Sequence, residues 1–469
     1  MPQFWNAIPV CEIIAERYTH PMANTFDLIL KNGIVVNHDG EGARDIGVRN
    51  GKIAEIGVSS SADAAEVIDC KGLHVLPGVI DTQVHFREPG PIHKEDLETG
   101  SRAAVLGGVT AVFEMPNTTP LTVTQEAIED KLARAAGKVD HGGMFCDHAF
   151  YVGATHGNPK ELAELEMLPG VCGVKIFMGA STGDLLVEDD EGVRAVLAHG
   201  QRRVAIHSED EYLLREGKSK AREGDWTSHP EARSAEAAVR CTECLLKLAR
   251  ETGRRIHVLH ISTADEIQML AAAKDVATCE VTPQHLTLEA PECYERLKAF
   301  AQMNPPIRDA RHREGLWYGL QQGLFDVIGS DHAPHTIDEK SKSYPQSPSG
   351  MPGVQTYVPI MLNHVAEGRL SLARFVDLAC HGANRVFGIA GKGRLAIGYD
   401  ADFTVVDLKA KRTITNDWSA TKSGWTPFDG MGVTGWPMGT IIRGRKVMWN
   451  DELIGDAAGA PVRFQETLG

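Results

Sequence analysis

Two side chains with donor atoms, Gln83 and His85, sit two positions apart at the end of the short apolar run VIDTQVHF. On a strand, residues spaced i, i+2 point to the same side, so both can reach one ion. A lysine, Lys175, interrupts the apolar run GVKIFMG, and three more runs close on His207, His260 and Asp331. Taken singly these residues are ordinary. A histidine at a strand end is usually a hydrogen-bonded structural group, an aspartate after a strand is often a helix cap, and only the lysine is unusual, because a buried ammonium is costly. Jointly, at the same end of successive strands, they form a donor set of imidazole and carboxylate that suits zinc or a similar divalent ion. His257 in HVLHIST competes with His260, but its spacing puts it on the opposite face of its strand.

The elements that must position these groups read as alternating units. From about Val79 to Gly388, short apolar runs alternate with amphipathic stretches such as TQEAIEDKLARAAG, the pattern of parallel β/α units. The strand candidates are VIDTQVHF, VTAVFEMP, HAFYVGA, GVKIFMG, RRVAIHSED, IHVLHIST, TCEVTPQHL and DVIGSDHAPH, eight in all. Eight such units predict an α/β fold, a closed (β/α)8 TIM barrel with its chemistry at the C-terminal strand ends. The loop SKSYPQSPSGMPG follows the last strand, where a mobile active-site loop belongs. On either side, FDLILKNGIVVNHDGEGARDIGVRNGKIAEIG and the pair GRLAIGYDADFTVVDL and GTIIRGRKVMW are strand-rich. Asn-Gly and Asp-Gly in the first block signal hairpins. The expected organisation is an N-terminal extension over 1–25, a small β-sandwich built from 26–76 plus 389–469, and the barrel over 77–388.

Composition narrows the partners. The net charge of −15 argues against nucleic acid and anionic membranes, and means that an anionic substrate needs a local cluster of positive groups. With 469 residues the chain can bury a large core without structural metal. Nine cysteines are scattered along it, and the only C-x-x-C, Cys241 and Cys244, lies on a helical pattern without a second pair, so it reads as partly buried thiols in a reducing cytoplasm. No apolar run is long enough to span a bilayer, and the first twenty residues lack the features of a signal peptide.

The segments PGVIDTQVHFREPG, HKEDLETGSRAAVLGGVTAVFEMPNTTP, GVKIFMG, HVLHIST, CEVTPQHL, MNPPIRD and IGSDHAPHT, with GYDADF beyond them, carry a resemblance. They resemble the amidohydrolase superfamily, within it most the dihydroorotase branch, with hydantoinases and allantoinases close by. The resemblance implies that Lys175 is carbamylated and bridges two Zn2+ ions, that His207 and His260 hold one ion, and that His85 and Asp331 hold the other. It further implies that a metal-activated hydroxide would attack the ring carbonyl and that Asp331, the catalytic acid/base, would pass its proton to the departing nitrogen. Arg87, Asn117, Asn304 and His335 match substrate-contacting positions, Arg87 as the fork for a carboxylate. The implied activity is reversible opening of dihydroorotate to N-carbamoyl-aspartate in pyrimidine biosynthesis, by a homodimer or homotetramer.

Several residues depart from that pattern. Gln83 stands where a histidine is usual, offering a neutral amide oxygen in place of an imidazole, so the site holds either one ion or two. Gln284 in PQHL and the segment SGMPGVQT look more like allantoinases and hydantoinases. They support an alternative, hydrolysis of another cyclic ureide or imide. A non-catalytic scaffold derived from the family is a third reading, opposed by the survival of Lys175, His207, His260, His85 and Asp331.

Overall fold

The computed structural model describes residues 26–139, 142–179 and 185–468. The N-terminal extension expected over 1–25 lies outside them. Eight parallel strands run in chain order around one sheet: β1 (Val79–Val84), β2 (Val109–Glu114), β3 (Asp147–Gly153), β4 (Val171–Phe177), β5 (Val204–His207), β6 (Ile256–Val258), β7 (Ala277–Val281) and β8 (Val327–Ile328). The circle closes where Val84 bridges His332 in parallel and His85 N–H donates to His332 O at 2.7 Å. Every expected strand is present, and the structure is the expected TIM barrel. Of the polar groups predicted at strand ends, Gln83, Lys175 and His207 lie within their strands, while His85, His260 and Asp331 lie one to three residues past theirs, on the loops at the C-terminal rim.

Helices between the strands bury one stripe each. Asp96 starts the helix Leu97–Leu106 by accepting from Thr99 N–H at 2.8 Å, and Ser234 caps Ala235–Thr252; such oxygens satisfy donors that a helix start leaves unpaired. Val105, Leu246, Leu248, Leu316 and Leu320 from these and later helices pack against Val112, Val174, Ile206, Val258 and Val281 of the strands. Cys241 is buried in its helix and Cys244 half-buried, and neither forms a disulfide. No helix among the described residues is long and apolar enough to cross a membrane.

Both flanking blocks form one satellite. A seven-stranded sheet interleaves strands from the two ends of the chain, with Phe403–Thr413 antiparallel to His74–Pro77 and to Gly432–Ile442. A four-stranded sheet is built from residues 26–69 alone. Leu28, Ile46 and Val48 of the smaller sheet meet Val35, Val75, Phe403 and Ile441 of the larger in one apolar layer, as in a sandwich. Of the predicted turns, Asn50-Gly51 (φ 51° and 71°) joins a true hairpin. Asn32-Gly33 does not: the strand before it pairs in one sheet and the strand after it in the other. Asn32, at φ 62°, carries the chain across the sandwich instead.

The C-terminal segment also goes beyond the sandwich. Gly459–Phe464 returns to the N-terminal end of the barrel, where Pro461 bridges His148 and Val462 N–H donates to His148 O at 2.8 Å. Phe464 enters the layer of Ile80, Phe113, Tyr151, Ala205 and Phe387 that fills the barrel.

Candidate active site

At the opposite end, the C-terminal rim encloses a cleft of about 320 Å³. Gln83, His85, Arg87, Asn117, Lys175, His207, His260, Asn304, Asp331 and His335 all line it, with Phe177, Ala333 and Pro348–Gly350. Three of these residues hold left-handed backbone: Arg87 at φ 65°, His260 at 36° and Asp331 at 46°. For side chains other than glycine such conformations cost about 1–3 kcal/mol each and persist only where the surroundings enforce them. Here they turn each side chain off its strand axis into the cleft.

The donor atoms meet in pairs. His207 Nδ1 lies 3.1 Å from His260 Nε2, and His85 Nε2 lies 3.3 Å from Asp331 Oδ1. Neighbours set which imidazole nitrogen carries the proton. His85 Nδ1–H donates to Asn117 Oδ1 at 2.7 Å, so Nε2 presents a lone pair to the Asp331 oxygen. His207 Nε2–H donates to Glu209 Oε2 at 2.8 Å, so Nδ1 presents a lone pair toward His260. Burial holds the pKa of His85 and of His207 below the ordinary histidine value, against the pull of Asp331 and Glu209, and sets that of His260 well below it. All three are neutral near pH 7, the form that ligates a metal.

Lys175 is 1% exposed, and burial lowers its pKa to about 7, although Asp331 and Glu280 pull the other way. Its Nζ, Gln83 Oε1 and His260 Nδ1 are buried without a hydrogen-bond partner among the described residues. A buried polar atom left unpaired costs about 1–3 kcal/mol. An imidazole lone pair on His85 that faces the Asp331 oxygen, and buried ligand atoms left without partners, fit a divalent cation of the zinc type. The residues that can hold it are His207 and His260, His85 and Asp331, with Lys175 lining the same cleft. A separate trio, His156, Glu188 and Asp189, brings three donor atoms within 4.8 Å of one another, but His156 is exposed and none of the three lines this cleft.

Around the donors, Arg87 gives Nε–H to Pro334 O at 3.3 Å and makes no ion pair with a carboxylate among the described residues. Its Nη2 lies 3.5 Å from His335 Nε2, but that nitrogen donates to Ser349 O at 3.0 Å while Nδ1 faces Lys94 Nζ at 3.1 Å, so it offers Arg87 no acceptor. Burial lowers the Arg87 pKa to about 10, and the group stays charged. Asn304 Oδ1 accepts from His229 Nε2 at 3.1 Å.

Several contributors are not evident from sequence motifs. Glu209 follows His207 at the i+2 spacing that places both on one side, a signal present in HSED but overlooked. Arg233 binds Glu209 from the end of the short helix His229–Ala232. Lys340, fully buried, donates to the carbonyls of Gln302, Pro348 and Gly350 and so pins the loop that forms one wall. Trp425, far along the chain, donates to His335 O at 2.7 Å. Two other positions singled out in the sequence lie away from the cleft. Gln284 does not line the cleft: it is fully buried and donates to Ser330 O at 2.7 Å, behind Asp331. His257 is inside the barrel, against Thr278 Oγ1 at 2.8 Å.

The profile of the Amidohydrolase family matches residues 74–447, which hold every residue of this cleft. The chain belongs to the amidohydrolase family. Fold and family together make it a hydrolytic enzyme. This amidohydrolase is 36% identical over 451 residues to a dihydroorotase of Methanosarcina mazei, covering 92% of this chain and 96% of the relative. It is 34% identical over 438 residues to an allantoinase of Escherichia coli, covering 90% and 94%. Among solved structures, it superposes on the L-hydantoinase (dihydropyrimidinase) from Arthrobacter aurescens with a TM-score of 0.86 at 30% identity, covering 92% of this chain and 98% of the other.

Proposed function

We propose that this amidohydrolase is metal-dependent and opens a cyclic ureide or imide at its amide bond, and that the ring carries a carboxylate, dihydroorotate being the substrate to test first. The observation that carries the reading is Arg87: a charged guanidinium in the wall of the donor cleft with no carboxylate partner among the described residues. In a chain of net charge −15, a fork of this kind supplies the local positive field that an anionic ring needs. The relatives include a dihydroorotase, an allantoinase and a hydantoinase, named for different substrates.

A divalent ion, zinc for this donor set, supplies the Lewis acidity that makes water nucleophilic near neutral pH. Arg87 binds the carboxylate and fixes which ring face meets the donors. Asn304, braced by His229, and His335, braced by Ser349 and Lys94, bound the ring. Asp331, held by Gln83 Nε2–H at 2.9 Å, takes a proton from the attacking water and returns it to the departing ring nitrogen. Lys175, in its neutral form, is the amine that would add CO2 and release a proton to become a carbamate anion, a group that would help hold the ion.

A second reading, an uncharged ring such as a hydantoin or allantoin, is favoured by the superposition on a hydantoinase. One assay separates the two: zinc-reconstituted protein is offered dihydroorotate, allantoin and 5-substituted hydantoins. Turnover of dihydroorotate with the lowest KM is expected. Turnover of hydantoin or allantoin with none of dihydroorotate rejects the carboxylated ring.

A further inference from the structure

Gln83 stands in β1 beside two pairs of donors that are not equivalent. Its Nε2–H donates to Asp331 Oδ1 at 2.9 Å, the same oxygen that lies 3.3 Å from His85 Nε2. Its Oε1 is buried and unpartnered among the described residues. Strand β1 therefore brings the His85–Asp331 pair one imidazole, one hydrogen-bond donor and one neutral amide oxygen. The His207–His260 pair has two imidazoles 3.1 Å apart, and one of them is held from behind by the Glu209 carboxylate.

We infer that Gln83 is a positioning residue for Asp331, and that the two pairs bind divalent ions unequally: tightly at His207 and His260, at least tenfold more weakly at His85 and Asp331. Three physical points lead there. An amide oxygen is a weaker donor than imidazole to a zinc-type ion. A carboxylate oxygen that already accepts from Gln83 has one lone pair fewer to give a metal. A second-sphere carboxylate strengthens the imidazole it binds, and among these donors only His207 has one. In exchange, Asp331 gains a fixed orientation at a backbone angle of φ 46° that few residues adopt.

The inference rests on the metal-dependent reading proposed above, and one experiment distinguishes their failures. The full chain and Gln83→His are loaded with zinc, dialysed against a weak chelator and counted for ions per chain by mass spectrometry. Co2+ titrations followed by visible absorption give the separate affinities. The expected result is one retained ion in the unaltered chain and two in Gln83→His. Gln83→Leu, checked for folding by circular dichroism, keeps the tight ion and its KM while kcat falls about tenfold, as loss of a hydrogen bond to a charged group implies. Two ions of equal affinity in the unaltered chain, or no gain in Gln83→His, overturn the inference alone. A raised KM with kcat unchanged in Gln83→Leu overturns the positioning role. A chain that takes up no divalent ion overturns the metal-dependent reading and this inference with it.

Discussion

Glu209 Oε2 lies 2.8 Å from His207 Nε2 and also receives Arg233. Burial works against the Glu209 charge, but Arg233 and His207 more than offset it and hold the carboxyl well below the usual carboxylate range. A permanently ionised acid thus fixes the His207 tautomer and turns Nδ1 toward His260.

Glu209→Gln keeps an acceptor for the imidazole N–H but removes the charge. Metal affinity should fall about 10–100-fold, the usual effect of losing an outer partner of a ligating histidine. Competition with a chelator of known affinity measures it, and thermal unfolding of the metal-free protein shows whether the Arg233 side chain left behind weakens the fold. Unchanged affinity in a folded variant would mean that Glu209 serves Arg233 alone.

Arg87→Lys tests the carboxylate fork. A lysine keeps one charge but cannot make the planar pair of hydrogen bonds, and a charged hydrogen bond is worth about 1.5–3 kcal/mol. For a carboxylated ring, kcat/KM should drop about 10–150-fold, mostly through KM, with little change for an uncharged hydantoin. Equal losses on both rings would remove the carboxylate from the reading.

Much of this was legible in the sequence, for a physical reason. Barrel strands are buried on both faces, so a polar side chain at the end of an apolar run stands out, and His85, Lys175, His207, His260 and Asp331 all announced themselves that way. What supports them did not. Trp425 reaches His335 from a segment 90 residues further on, and nothing local marks such a contact. Asn117, expected as a substrate contact, lines the cleft, and its Oδ1 also accepts from His85, a pairing that only coordinates reveal. Gln284 marks a family branch by its place in PQHL, but its contact is equally invisible there: the helical turn Pro283–Thr287 directs it at Ser330. The C-terminal run after Asp456 is short of apolar periodicity, so its return to the barrel floor was not visible.

Lys175 should give the site a pH dependence of definite sign. With its pKa lowered by burial to about 7, the amine is free above that pH and protonated below it. CO2 adds only to the free amine, about a tenth of the molecules at pH 6 and about nine-tenths at pH 8. Metal-free protein at a fixed dissolved concentration of labelled CO2 should show a carbamate resonance that rises through pH 7. A resonance that first appears above pH 9 would show that burial leaves this lysine unperturbed. The same shift bears on stability. Between about 7 and the ordinary value of 10.5 the unfolded chain binds the proton that the folded chain lacks. The Lys175 contribution to the stability of the metal-free protein therefore rises with pH across that window and is at its least favourable below it.

Phe464 separates stability from catalysis, because it plugs the barrel at the end away from the cleft. Its ring is 1% exposed, with Phe113 edge-on at 5.8 Å and the Arg202 guanidinium over its face at 4.3 Å. The backbone on either side is tied to residues 388–390 by Ala390 N–H to Arg463 O at 2.8 Å and Gln465 N–H to Gly388 O at 2.7 Å. With its neighbours held on both sides, the segment cannot collapse into the space a smaller side chain leaves. Phe464→Ala should therefore cost about 3–5 kcal/mol, read as a lower urea midpoint for the barrel transition with its slope unchanged. Leu468→Ala, at a side chain 56% exposed a few residues on, should stay within about 0.5 kcal/mol. Below the unfolding transition, KM and metal affinity of Phe464→Ala should match the unaltered chain. A shift in either would mean that the barrel floor and the donor cleft are mechanically coupled.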